Sequence, residues 1–519
     1  MSFLSTRRLG WWLFASAFLV ALATESGELN SIDTANRLQV TRWIWTDAPQ
    51  VANPETSWFG VYGRGGEKFF WSGLGQSIWM LPSQIIASQV APLVSGNPKF
   101  SGKFEEMAVT YLTFPLTTAL VVVVLYALLV ALGFPAGVSG LSALAALWCS
   151  SLLPYTNINQ ENTLILLCTL TAMWAVTRGV ATQRYSWWLL AGTAAGYNML
   201  IRLTSGLDAV AIAVFTLFLL ASDQRGSLWE SLRKFGPHIA VAVLAGLSFV
   251  FFERAYNFYR FESWTNTYYD LQKIAVPDYL YEGDFRVGFP GLMWAIKSNI
   301  WQFDPLAALG LASVLLLWKR LDSGAKALSA AVLVLFAGYI LFYSTRPYFD
   351  GDHGWGSRYT TTPMILLSAL AVALILRFCR RSSAKWSVGL LAAIAAIALV
   401  VQISSTLFWY NLEETQQKER IGASESMLVL RGQNAAACFT GQWEAWGLVP
   451  EFPSERLRTP NYLPFLAAKY FSPSANVFLY GLWGACVAAA LVVNALTFLR
   501  LLGMERSRRG VLSPASTVS

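Results

Sequence analysis

Continuous apolar runs long enough to cross a lipid bilayer recur from one end of this chain to the other, and they constrain its fold more than any other feature. One of them, "FPLTTALVVVVLYALLVALG" (residues 114–133), carries no charge at all. A bilayer core offers no water to pair backbone N–H and C=O groups. An uncharged run of about 20 residues therefore satisfies them internally, as a helix. The runs are continuous rather than alternating, which excludes a transmembrane β-barrel. The expectation is an all-α polytopic membrane protein. With 55% hydrophobic and 13% charged residues, the composition is too apolar for an ordinary soluble domain. The 22 tryptophans suit the interfaces where aromatic rings settle.

Apolar windows predict twelve spans: 9–24, 107–131, 136–153, 161–177, 187–203, 205–221, 237–252, 300–318, 327–343, 359–376, 387–409 and 475–500. Residues 74–95, interrupted by Pro82 and three glutamines, read as interfacial helix rather than span. The connecting segments divide sharply by charge. One alternating set holds 18 basic against 4 acidic residues, and the other 19 against 23. The positive-inside rule makes the first set cytoplasmic, with both termini, and puts every long loop on the outer face of the cell membrane. A cleaved signal peptide is the competing reading of the first span, because "FLVALA" precedes Thr24. The chain divides into a transmembrane module (1–409, with outer loop 25–106), an outer loop (410–474), and a last helix with its cytoplasmic tail (475–519).

The net charge of +8 is spread over short loops between apolar runs, so it does not point to nucleic acid. Five cysteines without CxxC spacing and two histidines in all give no disulfide framework, zinc site or His-rich metal centre. No Walker A sequence is present, which argues against an ATP-driven pump.

The unusual polar residues share the predicted outer face. Asp33 and Arg37 stand one helical turn apart in the amphipathic "SIDTANRLQVTRWIW". They are either a solvated ion pair or part of a site. Glu161 follows "PYTNINQ" at the start of a span, where it can also simply complement the helix dipole. Arg202 occupies a tight turn between two apolar helices, an expensive position for an idle charge. Asp350, Asp352, His353, Arg358 and Tyr359 fall in the glycine-rich "YFDGDHGWGSRYTTTP". Arginine grips phosphate oxygens and a carboxylate takes the proton of a hydroxyl. A lipid-phosphate leaving group and a hydroxyl acceptor would use both.

These stretches resemble the GT-C superfamily of membrane glycosyltransferases. The nearest are bacterial relatives of protein O-mannosyltransferases and of the lipid A aminoarabinose transferase. "SIDTANRLQVTRWI" is similar to the family's first outer loop, with Asp33 in the acidic place. "GRGGEKFFWSGLGQSIWMLP" (63–82) resembles its Gly-rich turn and following helix; Trp71 and Ser72 stand where relatives carry a basic residue, with Lys68 nearby. "AGTAAGYNMLIRLTSGL", "YNFYRFESWTNTYY" (256–269, with Glu262 in place of a glycine) and "GDHGWGSRYTTTPMILL" follow in family order. The resemblance implies a GT-C-like helical bundle and an inverting transfer of a sugar from a polyprenyl phosphate to a hydroxyl on an acceptor glycan, lipid or protein. It implies Asp33 as general base with Glu161 as a second catalytic carboxylate. Arg202, Arg358, His353 and Lys68 would hold the donor phosphate, with Arg37, Asp350, Asp352 and Tyr359 around them. The resemblance fixes no cofactor. A divalent metal, used by some superfamily members, would draw on Asp33, Glu161 and Asp352. The alternative class is a transporter or lipid flippase. It would place polar groups at the bilayer midplane, where only Asp208 and Asp304 come near.

Overall fold

The computed structural model describes residues 3–94, 98–222, 227–277, 282–296, 299–349, 351, 354–379, 381–419, 426–442, 459–467 and 473–511. In chain order the helices are α1 (Phe3–Thr24), α2 (Ile32–Trp45), α3 (Gly75–Val94), α4 (Pro98–Ala131), α5 (Ala136–Trp148), α6 (Tyr155–Ile158) and α7 (Asn162–Thr182). They continue with α8 (Tyr185–Ile201), α9 (Gly206–Ser222), α10 (Leu228–Phe261), α11 (Tyr268–Ala275), α12 (Phe285–Trp294), α13 (Ile300–Phe303) and α14 (Pro305–Leu317). The last are α15 (Ser323–Tyr343), α16 (Thr361–Phe378), α17 (Arg381–Leu407), α18 (Leu412–Glu419), α19 (Met427–Thr440), α20 (Leu463–Ala467) and α21 (Pro473–Val511). Among the described residues the one sheet is a two-stranded antiparallel pair, β1 (Val61–Tyr62) with β2 (Lys68–Phe69). The all-α class read from the apolar runs is borne out.

Each of the twelve predicted spans lies largely on helix, but the count of twelve is not reproduced by length and apolarity. Eight described helices are long and apolar enough to cross a membrane, and Ala136–Trp148 is a shorter apolar helix. Hydropathy windows misjudged helix ends where polar residues continue or break the helix. The helix behind the 107–131 span starts at Pro98, and that behind 237–252 at Leu228, where Ser227 and Glu230 form a capping box. The 300–318 span is broken at Asp304 (φ −128°, ψ 64°), and the remaining α14 starts on Pro305.

The main core is an apolar cluster drawn largely from α1, α4, α5, α7, α8, α9, α14, α15 and α16, with smaller clusters beside it. The last helix, α21, packs back on the first: the Ser16 and Thr497 hydroxyls lie 3.0 Å apart and Asn494 Nδ2 donates to the Ser16 carbonyl. By contrast α10 leaves Leu244, Leu247 and Phe251 more than half exposed, as suits a lipid-facing helix. The amphipathic α2 does not merely lie on a surface. Leu38 is buried with Met80 and Val109, and Val40 with Phe70 and Leu200. That packing fixes the height and rotation of the helix bearing Asp33.

Candidate active site

The C-terminal ends of α1, α8 and α15 and the N-terminal ends of α2, α7 and α16 converge at one end of the bundle. The segment "PYTNINQEN" (154–162) is the strut that joins them. Asn159 takes a left-handed conformation (φ 59°), which asparagine tolerates. Its amide donates to Glu25 Oε1 at 3.0 Å and the Glu28 carbonyl at 2.9 Å. Its carbonyl accepts from Thr34 Oγ1 at 2.8 Å, next to Asp33. Asn162 reaches the other way and donates to the Arg358 carbonyl and to Thr361 Oγ1. One short strut thus holds the start of α2 and the start of α16.

The ion pairs differ from those that spacing alone suggests. Arg37 does not turn back to Asp33. It is 4% exposed and donates to Glu161 Oε2 at 2.8 Å, because the face of α2 that carries it is the one packed against the strut. Glu161 Oε1 lies 3.5 Å from Arg202 Nη1. Burial works to raise the Glu161 pKa, but Arg37, then Arg202 and Arg358, bring it down to about 2. Asp33 instead accepts from Arg358 Nη1 at 3.3 Å. The Arg358 and Arg202 guanidiniums lie 5.2 and 4.7 Å from the Tyr359 ring centre, and Tyr359 stacks on Tyr343 at 4.1 Å. These cation–π contacts orient both arginines without consuming their donors.

Two cavities meet at this junction. The first, about 540 Å³, is lined among the described residues by six arginines (37, 202, 254, 260, 346 and 358) against three carboxylates, Asp33, Glu161 and Glu253. The second, about 580 Å³, is rich in aromatic rings, and among the described residues its charges balance: Glu28, Asp33 and Glu106 against Lys103, Arg346 and Arg358. Asp33, Trp71, Tyr268, Tyr269, Arg346, Arg358 and Tyr359 line both. Gly73 and Gly75 allow the wall containing Trp71 to close on α8: a Cβ on Gly73 would stand 2.3 Å from the Leu200 carbonyl oxygen.

The structure brings Asp33, Arg37, Glu161, Arg202, Arg358 and Tyr359 together. It does not bring Lys68 to them. Lys68 Nζ donates to the Pro54 and Ser57 carbonyls and lines a separate cavity beside the hairpin, because β2 points it away from the junction. Asp350, Asp352 and His353 lie outside the described residues. Sequence reasoning passed over Arg346, which follows α15 and stacks on Tyr269 at 4.3 Å, and Tyr268, Tyr269 and Trp409. A basic residue in the short 344–358 connection was the available signal for Arg346. Among the described residues no group of three or more His, Cys, Asp or Glu side chains is arranged to hold a metal. Asp33 and Glu161 face guanidinium groups, a donor set that does not fit a divalent cation.

Fold and site together define a polytopic helical membrane protein with an arginine-lined cavity beside a carboxylate. Residues 101–252 match the family model described as dolichyl-phosphate-mannose-protein mannosyltransferase, a stretch that includes Glu161 and Arg202. With that match the resemblance to GT-C membrane glycosyltransferases is borne out. No curated protein matches the chain in sequence. Similar solved structures include ArnT from Cupriavidus metallidurans bound to undecaprenyl phosphate, with 14% identity, 98% of this chain and 79% of that one covered, and TM-score 0.45. They also include the archaeal oligosaccharyltransferase AglB from Archaeoglobus fulgidus, in complex with an inhibitory peptide and a dolichol-phosphate. There the identity is 12%, the coverage 88% of this chain and 61% of that one, and the TM-score 0.45.

Proposed function

We propose that this glycosyltransferase moves a sugar from a polyprenyl phosphate to an acceptor hydroxyl, with inversion at the anomeric carbon, on the extracytoplasmic face of the cell membrane. The observation that carries the reading is the excess of arginine in the cavity that adjoins Asp33. Arg37, Arg254 and Arg260 are committed to Glu161, Glu253 and the carbonyls of Phe70 and Ser72. Arg202, Arg346 and Arg358 face the junction, and they are the phosphate's partners in this reading.

The chemistry follows from what the side chains can do. A donor phosphate competes with Asp33 for Arg358 and so releases the carboxylate. Asp33 then accepts the proton of the acceptor hydroxyl. The acceptor oxygen bonds to the anomeric carbon from the face opposite the phosphate, and the bond from that carbon to the phosphate oxygen breaks. The phosphate leaves with the electron pair, stabilised by Arg202, Arg346 and Arg358. Glu161 fits a positioning role better than a second catalytic one, since both its oxygens are engaged by arginines. The test is transfer by purified protein in proteoliposomes supplied with polyprenyl-phosphate-linked sugars. Asp33→Asn keeps shape and loses the base, and is expected to slow transfer by about 10²-fold or more at nearly unchanged donor affinity. Transfer at the original rate would remove Asp33 from the chemistry.

A further inference from the structure

Resting on the reading above, in which the arginine-lined cavity takes the donor phosphate and the second cavity, on the other side of the shared Asp33, is left to the acceptor, we infer that the acceptor hydroxyl belongs to a neutral carbohydrate, recognised by the aromatic walls and by two buried polar atoms unpaired among the described residues, Gln160 Oε1 and Trp71 Nε1. Ten of the 25 residues lining this cavity are aromatic, against 14% in the chain as a whole. They come from separated segments, with Trp58 and Trp71 from the first loop, Tyr268 from α11 and Trp409 from the turn after α17. An aromatic face is electron-rich, and it attracts the slightly positive C–H groups that a pyranose presents on one side.

Hydroxyl groups must be met as well. Gln160 is 2% exposed and Trp71 is 3% exposed, and among the described residues the Gln160 Oε1 has no hydrogen-bond donor and the Trp71 indole N–H no acceptor. Both residues line the cavity. Buried polar atoms are nearly always paired, so these two call for a partner. One is an acceptor and the other a donor, and a sugar hydroxyl both donates and accepts. Charge points the same way. Among the described lining residues the three carboxylates are met by three cations, Lys103 with Glu28 (3.4 Å) and Glu106 (3.0 Å), Arg358 with Asp33 (3.3 Å), and Arg346, so neither sign of charge is in excess.

A peptide acceptor fits less well. One recurring way to hold an extended peptide is to add it as a strand to an exposed sheet edge. Among the described residues the only strands are β1 and β2, and none of Val61, Tyr62, Lys68 and Phe69 lines this cavity.

The experiment is saturation-transfer NMR on the full-length protein in nanodiscs. The probes are methyl glycosides of glucose, galactose and mannose, octyl glucoside embedded in the bilayer, methyl glucuronide and a capped Ala-Thr-Ala peptide. Saturation of the neutral glycosides' ring protons is expected. Trp58→Ala, at a largely exposed ring, and Gln160→Met should each weaken it about three- to tenfold, the size of one lost contact. Stronger saturation of the octyl than of the methyl glucoside would identify a glycolipid source, and the reverse a free glycan; either supports the inference. Saturation of the peptide or the glucuronide instead of the neutral glycosides overturns it. So does glycoside saturation that both variants leave unchanged. Farnesyl phosphate, added separately, tests the arginine-lined cavity. If it fails to bind while the glycosides bind, the transferase reading falls and the carbohydrate site stands.

Discussion

Arg37 and Asp33 are one turn apart on α2, yet each pairs with a residue more than a hundred positions away. Two carboxylates and three arginines thereby form two neighbouring ion-pair groups, Asp33–Arg358 and Arg37–Glu161–Arg202. Arg202 is the looser member. Its side chain is 22% exposed and its contact with Glu161 is 3.5 Å, so it can turn to an incoming anion at little cost. Arg202→Ala should weaken binding of a polyprenyl phosphate by about 1.5–3 kcal/mol, the range for a charge-assisted bond to a buried anion. Isothermal titration with the lipid phosphate reads this directly, and unchanged affinity would take Arg202 out of the donor site. Glu161→Gln leaves Arg37 buried without its counter-charge, so a loss of thermal stability should accompany any loss of activity. Because the Glu161 pKa is depressed to about 2, its contribution is fully present above the unfolded value near 4.5. It is lost as pH falls from there toward 2, a stretch of the melting profile that Glu161→Gln should flatten.

At the scale of elements, the strut and the loop it grips decide where α2 begins. Glu25 is the hub of that loop: it is fully buried, and Oε1 accepts from the backbone N–H of Ser26 (3.0 Å) and Gly27 (3.3 Å) and from Asn159. Burial raises its pKa to about 8, more than the three hydrogen bonds lower it, and Glu106 adds to the rise. The sign is opposite to that of Glu161. Between about 4.5 and 8 the folded protein holds a proton that the unfolded chain has released, so stability falls as pH rises through that window and then levels. Glu25→Gln keeps the accepting oxygen and cannot ionise. The melting temperature in detergent at pH 8 should rise toward its pH 5 value in this variant, and an unaltered slope would mean that another group carries the dependence. None of this was readable in sequence. Glu25 sits in a polar stretch with no periodic pattern, and its burial comes from Asn159 and Tyr111, which donates to its carbonyl at 3.0 Å from 86 residues away. Asp33, Glu161, Arg202 and Arg358 were readable because each is a charge placed against the apolar pattern at a helix end. Their partners were not, because pairing is set by how helices pack. Arg37 shows the difference: i,i+4 spacing suggested Asp33, and the buried face of α2 decided for Glu161. The last outer segment, assigned no role from sequence, supplies Tyr410 and Asn411 to the aromatic cavity, next to Trp409 at the end of the preceding predicted span.

For the whole molecule, the open matter is which side of the membrane the site faces. The sequence answers through charge, with 18 basic against 4 acidic residues in one set of loops. The structure adds a ruler. Helix α7 runs 21 residues from the site at Glu161 to Thr182, about 30 Å at 1.5 Å per residue, close to the thickness of the hydrocarbon core. Thr182 is exposed at the end of α7 away from the site, whereas Ser57 precedes Trp58 and Phe59, which line the aromatic cavity. The two positions should therefore report opposite faces. In a background with the partly exposed Cys379, Cys438 and Cys486 changed to serine, Ser57→Cys is expected to react with a membrane-impermeant maleimide on intact cells. Thr182→Cys is expected to react only after permeabilisation. Both reacting from outside would break the reading of α7 as a span. The reverse pattern would put the site in the cytoplasm, where a donor must be presented from the inner leaflet, and would overturn the extracytoplasmic transfer proposed above while leaving the arginine-lined cavity intact.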